Sequence, residues 1–308
     1  MVETRAHGKE LLLAVSTPHG RDDVQITIAP GRFCGAWNLH GESRGRRVKE
    51  AIDSHLSRFR LQQHRRGLGA EDGQVEARSE VCPHCLALVD LSGLSPSRQV
   101  FCPYCQTLGT LDPTPRPEER HFTICPRCHY FACPVPFTSI RAAYLFLVVL
   151  WERETMVGCG ACMRAEAWVN LRGNLLSLIG APASALEFAR ARFRGSRRFV
   201  RYAELDEANG AAADGRSERA DVLYERILGR SGVSAGVRYN QAKWRYDQED
   251  WSGALEKALS ALGDCPNYPP AADLACRSLV RLGRLEDAEA LRARTPGAIT
   301  ENTPDFGP

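Results

Sequence analysis

Hydrophobic positions change their period along this chain. Near the N-terminus they alternate. Glu10–Ser16 reads ELLLAVS and Val24–Ala29 reads VQITIA, on either side of the turn-forming Pro18-His19-Gly20. Short alternating runs bounded by Pro and Gly predict strands, and Phe33–Leu39 is a further candidate strand. From Ser43 to His64 the spacing turns helical. Val48, Ile52, Leu56 and Phe59 recur three and four residues apart, which predicts a helix burying that stripe. Residues 1–70 therefore read as a small α+β domain, and 67–80 (GLGAEDGQVEARSE) as a linker. In residues 81–165 apolar runs are short and interrupted by cysteines, with proline-rich DPTPRPEE at 112–119 dividing two halves. Residues 166–200 read as a helical basic connector with a break at Gly180–Pro182. From about 201 to 294 the pattern is helical throughout, and the polar tail 295–308 reads as frayed.

The most apolar stretch, Ala142–Trp151, is ten residues long, half of what a helix needs to cross a bilayer. Leu175–Ala189 is interrupted by Gly180, Pro182 and Glu187. Neither predicts a transmembrane span, although an amphipathic segment on a membrane surface fits the pattern. No secretory leader is expected, because Glu3, Arg5, Lys9 and Glu10 leave no apolar run after Met1.

Cysteine changes this picture most. There are 12 in 308 residues, and eight fall in CxxC pairs: Cys82/Cys85, Cys102/Cys105, Cys125/Cys128 and Cys159/Cys162. In a chain of this length that spacing predicts metal-bound thiolates in a reducing, cytoplasmic setting rather than disulfides. Zinc takes four soft ligands in a tetrahedron, so eight paired thiolates predict two structural zinc ions per chain. Sixteen residues separate the first two pairs, which with LALVDL and RQVF as a hairpin between them resembles a zinc ribbon over 81–111. The second half, 120–165, has thirty residues between its pairs, so it reads as a ribbon with an insertion filled by 140–151. Here the sequence leaves alternatives open: first-with-third cross-pairing, or a ligand role for His129 or Cys133. CPYC is also similar to a glutaredoxin site, but QTLGTLDPTPRP after Cys105 cannot form the helix that such chemistry needs.

The formal net charge is only +3, which excludes a polycation, so nucleic-acid binding rests on local clusters. Residues 43–66 hold Arg44, Arg46, Arg47, Lys49, Arg58, Arg60, Arg65 and Arg66. Residues 190–201 hold Arg190, Arg192, Arg194, Arg197, Arg198 and Arg201, with Phe193 and Phe199 interleaved. Arginine with aromatics suits phosphates and bases; a solvated helix face accounts for it equally. His7, His19, Asp22, Asp23, His40 and His55 are scattered without catalytic spacing, so no enzyme is expected.

The last hundred residues repeat. Ala220, Ala254 and Ala288 are 34 residues apart. A small residue precedes each by twelve (Ala208, Ala242, Cys276) and a turn position by five (Gly215, Glu249, Gly283). The middle unit, YNQAKWRYDQEDWSGALEKALSALGDCPNY, resembles the tetratricopeptide repeat family through Tyr239, Asn240, Ala242, Tyr246, Asp250, Trp251, Ala254, Ala261, Leu262 and Pro266. Two positions depart from that family: Arg245 stands where an aromatic is usual, and Glu249 replaces the turn glycine. The resemblance implies a protein-binding adaptor whose first helices line a concave groove. Carried onto this chain, the groove positions are Asn209, Tyr239, Lys243, Tyr246, Arg277 and Arg281, suited to an acidic peptide. The expected whole is α+β: a small N-terminal α+β domain, two tandem zinc ribbons and C-terminal all-α repeats.

Overall fold

The computed structural model describes residues 2–7, 10–17, 20–27, 48–63, 78–111, 116–145, 148–174, 180–193 and 195–295. The chain divides into two compact units, Met1–Leu94 with Cys102–Gln106, and Ser95–Phe101 with Thr107–Pro308.

The first unit opens with an antiparallel meander of β1 (Val2–His7), β2 (Glu10–Thr17) and β3 (Gly20–Thr27). Thr17 pairs with Gly20, and Pro18 and His19 of the expected turn lie outside the described residues. The sequence reading missed β1, because Glu3, Thr4 and Arg5 break its apolar pattern. The expected strand at Phe33–Leu39 lies outside the described residues. Helix α1 covers residues 48–63.

The face α1 buries is not the apolar stripe. Val48 and Phe59 are 43% and 57% exposed, whereas Asp53, Ser57 and Leu61 are buried. Hydrogen bonding overrides the apolar pattern here. Lys49 pairs with Asp53 and donates to the Tyr104 carbonyl at 2.6 Å. Ser57 Oγ accepts from the Leu88 N–H at 2.9 Å. The polar stripe thus satisfies partly buried backbone groups of the cysteine-bearing segment.

That segment is also built differently from expectation. LALVDL and RQVF do not pair with each other. β5 (Leu88–Asp90) pairs with β4 (Ser79–Val81), at the end of the expected linker, and β6 (Gln99–Cys102) pairs with β7 (Thr107–Thr110). Each CxxC turn closes its own short hairpin.

In the second unit β8 (Thr123–Ile124) pairs with β9 (Phe131–Ala132) around the third cysteine pair. A long hairpin follows, β10 (Val135–Leu145) with β11 (Val148–Gly158), in the place of the expected insertion. Then come α2 (Gly160–Gly173) and α3 (Gly180–Phe193). Gly180–Pro182 starts α3 rather than breaking a helix, as suits proline in a first turn.

Among the described residues six further helices follow: α4 (Leu205–Ala213), α5 (Ser217–Ser231), α6 (Ala235–Asp247), α7 (Trp251–Asp264), α8 (Pro269–Arg281) and α9 (Leu285–Arg294). The 34-residue period holds in three dimensions. Gly215, Glu249 and Gly283 each turn a helix hairpin with φ of 72°, 62° and 74°. Glu249 therefore takes the left-handed conformation although it carries a Cβ. Ala208, Ala242 and Cys276, and the marker alanines Ala220, Ala254 and Ala288, are buried where paired helices approach.

Candidate metal centre

Two groups of four thiols form, each with all sulfurs within 4.8 Å of one another: Cys82, Cys85, Cys102 and Cys105, and Cys125, Cys128, Cys159 and Cys162. Pairing is sequential, so the cross-paired alternative falls away. Cys133 is buried elsewhere, and among the described residues neither it nor His129 belongs to a cluster.

The separations fit a divalent ion. Sulfurs at ~2.3 Å from a tetrahedral zinc lie about 3.8 Å apart. Cys82 to Cys105 is 3.7 Å, Cys85 to Cys102 is 3.5 Å and Cys128 to Cys159 is 3.7 Å. These are far above a disulfide length of ~2.05 Å. Hydrogen bonding within each group splits the thiols: Cys82 is lowered chiefly by Cys102 and Cys125 chiefly by Cys128, while other members are raised. Cys102 lies far above the ordinary thiol range, through its hydrogen bonds to Cys105, Cys82 and Cys85 and then through burial. Cys128 and Cys159 are raised in the same way, Cys125 being the largest cause in both. A bound cation reverses that balance, because it stabilises the thiolates.

Three of the four pairs share one turn. Leu86, Gln106 and His129 follow their second cysteines with φ of 61°, 58° and 59°. Their N–H groups donate to the carbonyls of Cys82, Cys102 and Cys125 at 3.0, 2.8 and 2.9 Å. The fourth pair is different. Cys159 caps α2, its sulfur accepting from Cys162 N–H at 3.5 Å, while the Cys159 N–H donates to the Cys125 sulfur at 3.2 Å. The positive end of a helix therefore faces the second cluster. The first site is two turns, as in a ribbon. The second joins one turn to a helix N-terminus, so the two-turn plan expected for 120–165 does not hold there.

The second site is locked into the helix hairpins. Asn240 on α6 accepts from the Phe131 N–H at 2.6 Å and donates to the Phe131 carbonyl at 2.8 Å. Asn209 donates to the same carbonyl at 3.1 Å and accepts from Tyr224 OH at 2.9 Å and from Asn240 at 2.9 Å. The Phe131 ring covers Gly236, where a Cβ would come within 2.5 Å of it. Asp206, buried on α4, accepts from the N–H groups of Gly160 and Ser196 at 3.2 and 2.8 Å, which fixes the start of α2. Asn267 repeats the backbone grip on Phe101, accepting from its N–H at 3.0 Å and donating to its carbonyl at 2.8 Å.

This corrects the expected groove. Asn209 and Tyr239 are buried against the chain itself, Tyr239 OH donating to the His129 carbonyl at 3.0 Å. Lys243 and Arg277 pair with Asp247 and Asp273, each at 2.9 Å, which neutralises the cationic face drawn from the sequence. Lys243 also lies over the Tyr130 ring at 5.2 Å. Tyr246 and Arg281 meet at Trp251, with ring centroids 4.8 Å apart and the guanidinium 5.5 Å from the ring.

Of the second arginine stretch, Arg197 and Arg198 are exposed and Arg201 pairs with Glu118 at 3.7 Å. Arg190 and Arg192 belong to α3, but their side chains, like all of Arg194, lie outside the described residues. In the first stretch Arg58 is exposed and Arg60 lies over the Tyr104 ring at 5.8 Å. Of the scattered acid–base candidates in 1–70, only His55 has a described side chain, exposed on α1. Among the described residues no helix is long and apolar enough to cross a membrane. The residues sequence reasoning missed are Asp206, Gly236 and Asn267. Their roles depend on long-range partners that no local pattern marks.

No family model, curated protein or solved structure matches the chain. What the geometry establishes is a protein with two four-cysteine centres whose donor sets suit structural zinc.

Proposed function

We propose that the chain is a non-enzymatic, zinc-stabilised scaffold that binds a protein partner through tetratricopeptide-like helix hairpins. The observation that carries this reading is the asparagine grip. Asn240 and Asn267 each read both backbone groups of an extended segment, Phe131 and Phe101, as a peptide-holding surface does. Two such positions are filled by the chain's own segments. The partner surface therefore shifts to Tyr246, Trp251 and Arg281, with Arg277 beside them. Tyrosine and tryptophan supply rigid apolar area with a polar edge, and Arg281 suits a carboxylate.

A stoichiometric partner co-purifying with the full chain, lost on Tyr246→Ala with Arg281→Glu while zinc content stays at two per chain, supports the reading. Unchanged capture by that variant moves the interface off the repeats. A nucleic-acid reading is favoured only by exposed Arg197 and Arg198. Binding of random RNA at low salt, lost on Arg197→Ala with Arg198→Ala, would replace the first reading.

A further inference from the structure

The ligands of the second centre meet solvent unequally. Cys125 and Cys159 are fully buried, whereas Cys128 and Cys162 are only partly so. The buried pair also holds the hydrogen bonds. Cys125 Sγ accepts from the Cys159 N–H at 3.2 Å, and Cys159 Sγ from the Cys162 N–H at 3.5 Å. Among the described residues no N–H donates to the sulfur of Cys128 or Cys162. Hydrogen bonds stabilise a thiolate and lower its nucleophilicity along with its basicity. In a metal-bound cluster Cys128 and Cys162 are therefore the more reactive pair.

Both line a cavity of about 360 Å³ between the start of α2 and helix α4. The carboxylates of its wall are committed. Asp206 accepts from the Gly160 and Ser196 N–H groups, Glu207 pairs with Arg219, and Asp214 with Arg216. Arg164 lines the cavity too, and its Nη1 is buried without a hydrogen-bond partner among the described residues. The cavity thus joins an uncommitted donor to two thiolates that a small solute reaches. In the first centre Cys82, Cys85 and Cys102 are buried and Cys105 alone is partly exposed.

A neutral hydroperoxide fits this chemistry. One thiolate attacks a peroxide oxygen, the O–O bond breaks, and the departing hydroxide takes a solvent proton to become water. A guanidinium donor suits the charge that develops on that oxygen. The sulfenic acid so formed condenses with a neighbouring thiol. The second thiolate attacks its sulfur, and hydroxide leaves to take a second solvent proton. Two thiolates lose two electrons, the peroxide gains them, and one disulfide and two waters result. All four sulfurs lie within 4.8 Å of one another, so little movement closes the bond.

We propose that Cys128 and Cys162 are an oxidation site for hydrogen peroxide, whose disulfide releases the second centre's zinc while the first centre keeps its own. This rests on zinc in the second centre and is independent of what the helices bind. The test treats the full chain, loaded with two zinc ions, with excess hydrogen peroxide. A chromogenic chelator reads zinc release, and mass spectrometry of the acid-quenched, alkylated chain maps the disulfides. One ion per chain should leave at least tenfold faster than the other, with Cys128 joined to Cys162, and dithiothreitol with added zinc should restore it. Ala165→Leu with Ala213→Leu fills the cavity from two exposed positions of its wall. That variant should keep two ions per chain and slow the fast release at least tenfold. No release, release of both ions at one rate, or fast release undiminished in the filled variant overturns the proposal. Should the filled variant fail to hold two ions, the disulfide map of the unaltered chain decides alone, and a first disulfide other than Cys128–Cys162 overturns the proposal.

Discussion

The two cysteine centres use the same ligands for different structural ends. The first closes two small hairpins, and its attached helix α1 rests on it through Lys49, Asp53 and Ser57. The second joins a turn to the N-terminus of α2 and pins Phe131 among Asn209, Asn240 and Gly236. A four-thiolate site is thus a local staple in one case and a keystone for a large core in the other. Phe122 and Phe131, which flank the turn of Cys125 and Cys128 in sequence, pack with Tyr202 in one aromatic cluster.

The largest contrast is expected on metal loss. The intact chain should carry two zinc ions by elemental analysis. Binding of a structural zinc is worth roughly 10–16 kcal/mol of folding free energy in small domains. Cys125→Ser should remove one ion and collapse the cooperative thermal transition of the helices. Cys82→Ser should also remove one ion yet leave that transition within a few degrees, because each helix hairpin packs on its neighbours. Equal melting of the two variants would show that the second site is no keystone.

Next come the residues that couple the second site to the hairpins. Phe131→Ala should cost about 3–5 kcal/mol, the range for a buried aromatic. Gly236→Ala should cost about 1–3 kcal/mol by overpacking against the same ring. Asn240→Ala leaves the Phe131 N–H without its acceptor and one donor fewer on the carbonyl, which costs about 1–3 kcal/mol. Denaturant unfolding followed by circular dichroism measures all three. If Asn240→Ala matches a surface substitution, the asparagine grip is not what holds the segment.

The difference between the centres was only partly legible in the sequence. Cysteine spacing is a local signal, so the eight ligands could be read from it, whereas the choice between sequential and crossed pairing came only with the fold. The 34-residue repeat was legible for the same reason, down to Gly215, Glu249 and Gly283 as turns. The α1 face was misread, because apolar periodicity says nothing of backbone groups elsewhere that need Lys49 and Ser57. The groove was misread because Asn209 and Tyr239 suit a partner and the chain's own segment equally. Only the fold brings residues 129–131 to them, more than seventy residues away in sequence.

The smallest effect sharpens the comparison by testing what the second site excludes. Cys133 lies five residues beyond Cys128 yet faces the core rather than the cluster. Burial, with Asp206 nearby, pushes its thiol up to about 11. A raised value means the folded state favours the protonated thiol. Its contribution is complete below the ordinary thiol range near ~8.5 and is lost as pH climbs through about 11. At pH 7.5 Cys133 should therefore resist alkylation in the native chain and react once the chain is unfolded. Cys133→Ala should leave zinc at two ions per chain and cost about 1 kcal/mol, an ordinary value for one small buried side chain. Cys128→Ser, by contrast, should lower the zinc content to one. A loss of zinc on Cys133→Ala would make that residue a ligand and would overturn the sequential assignment of the second cluster.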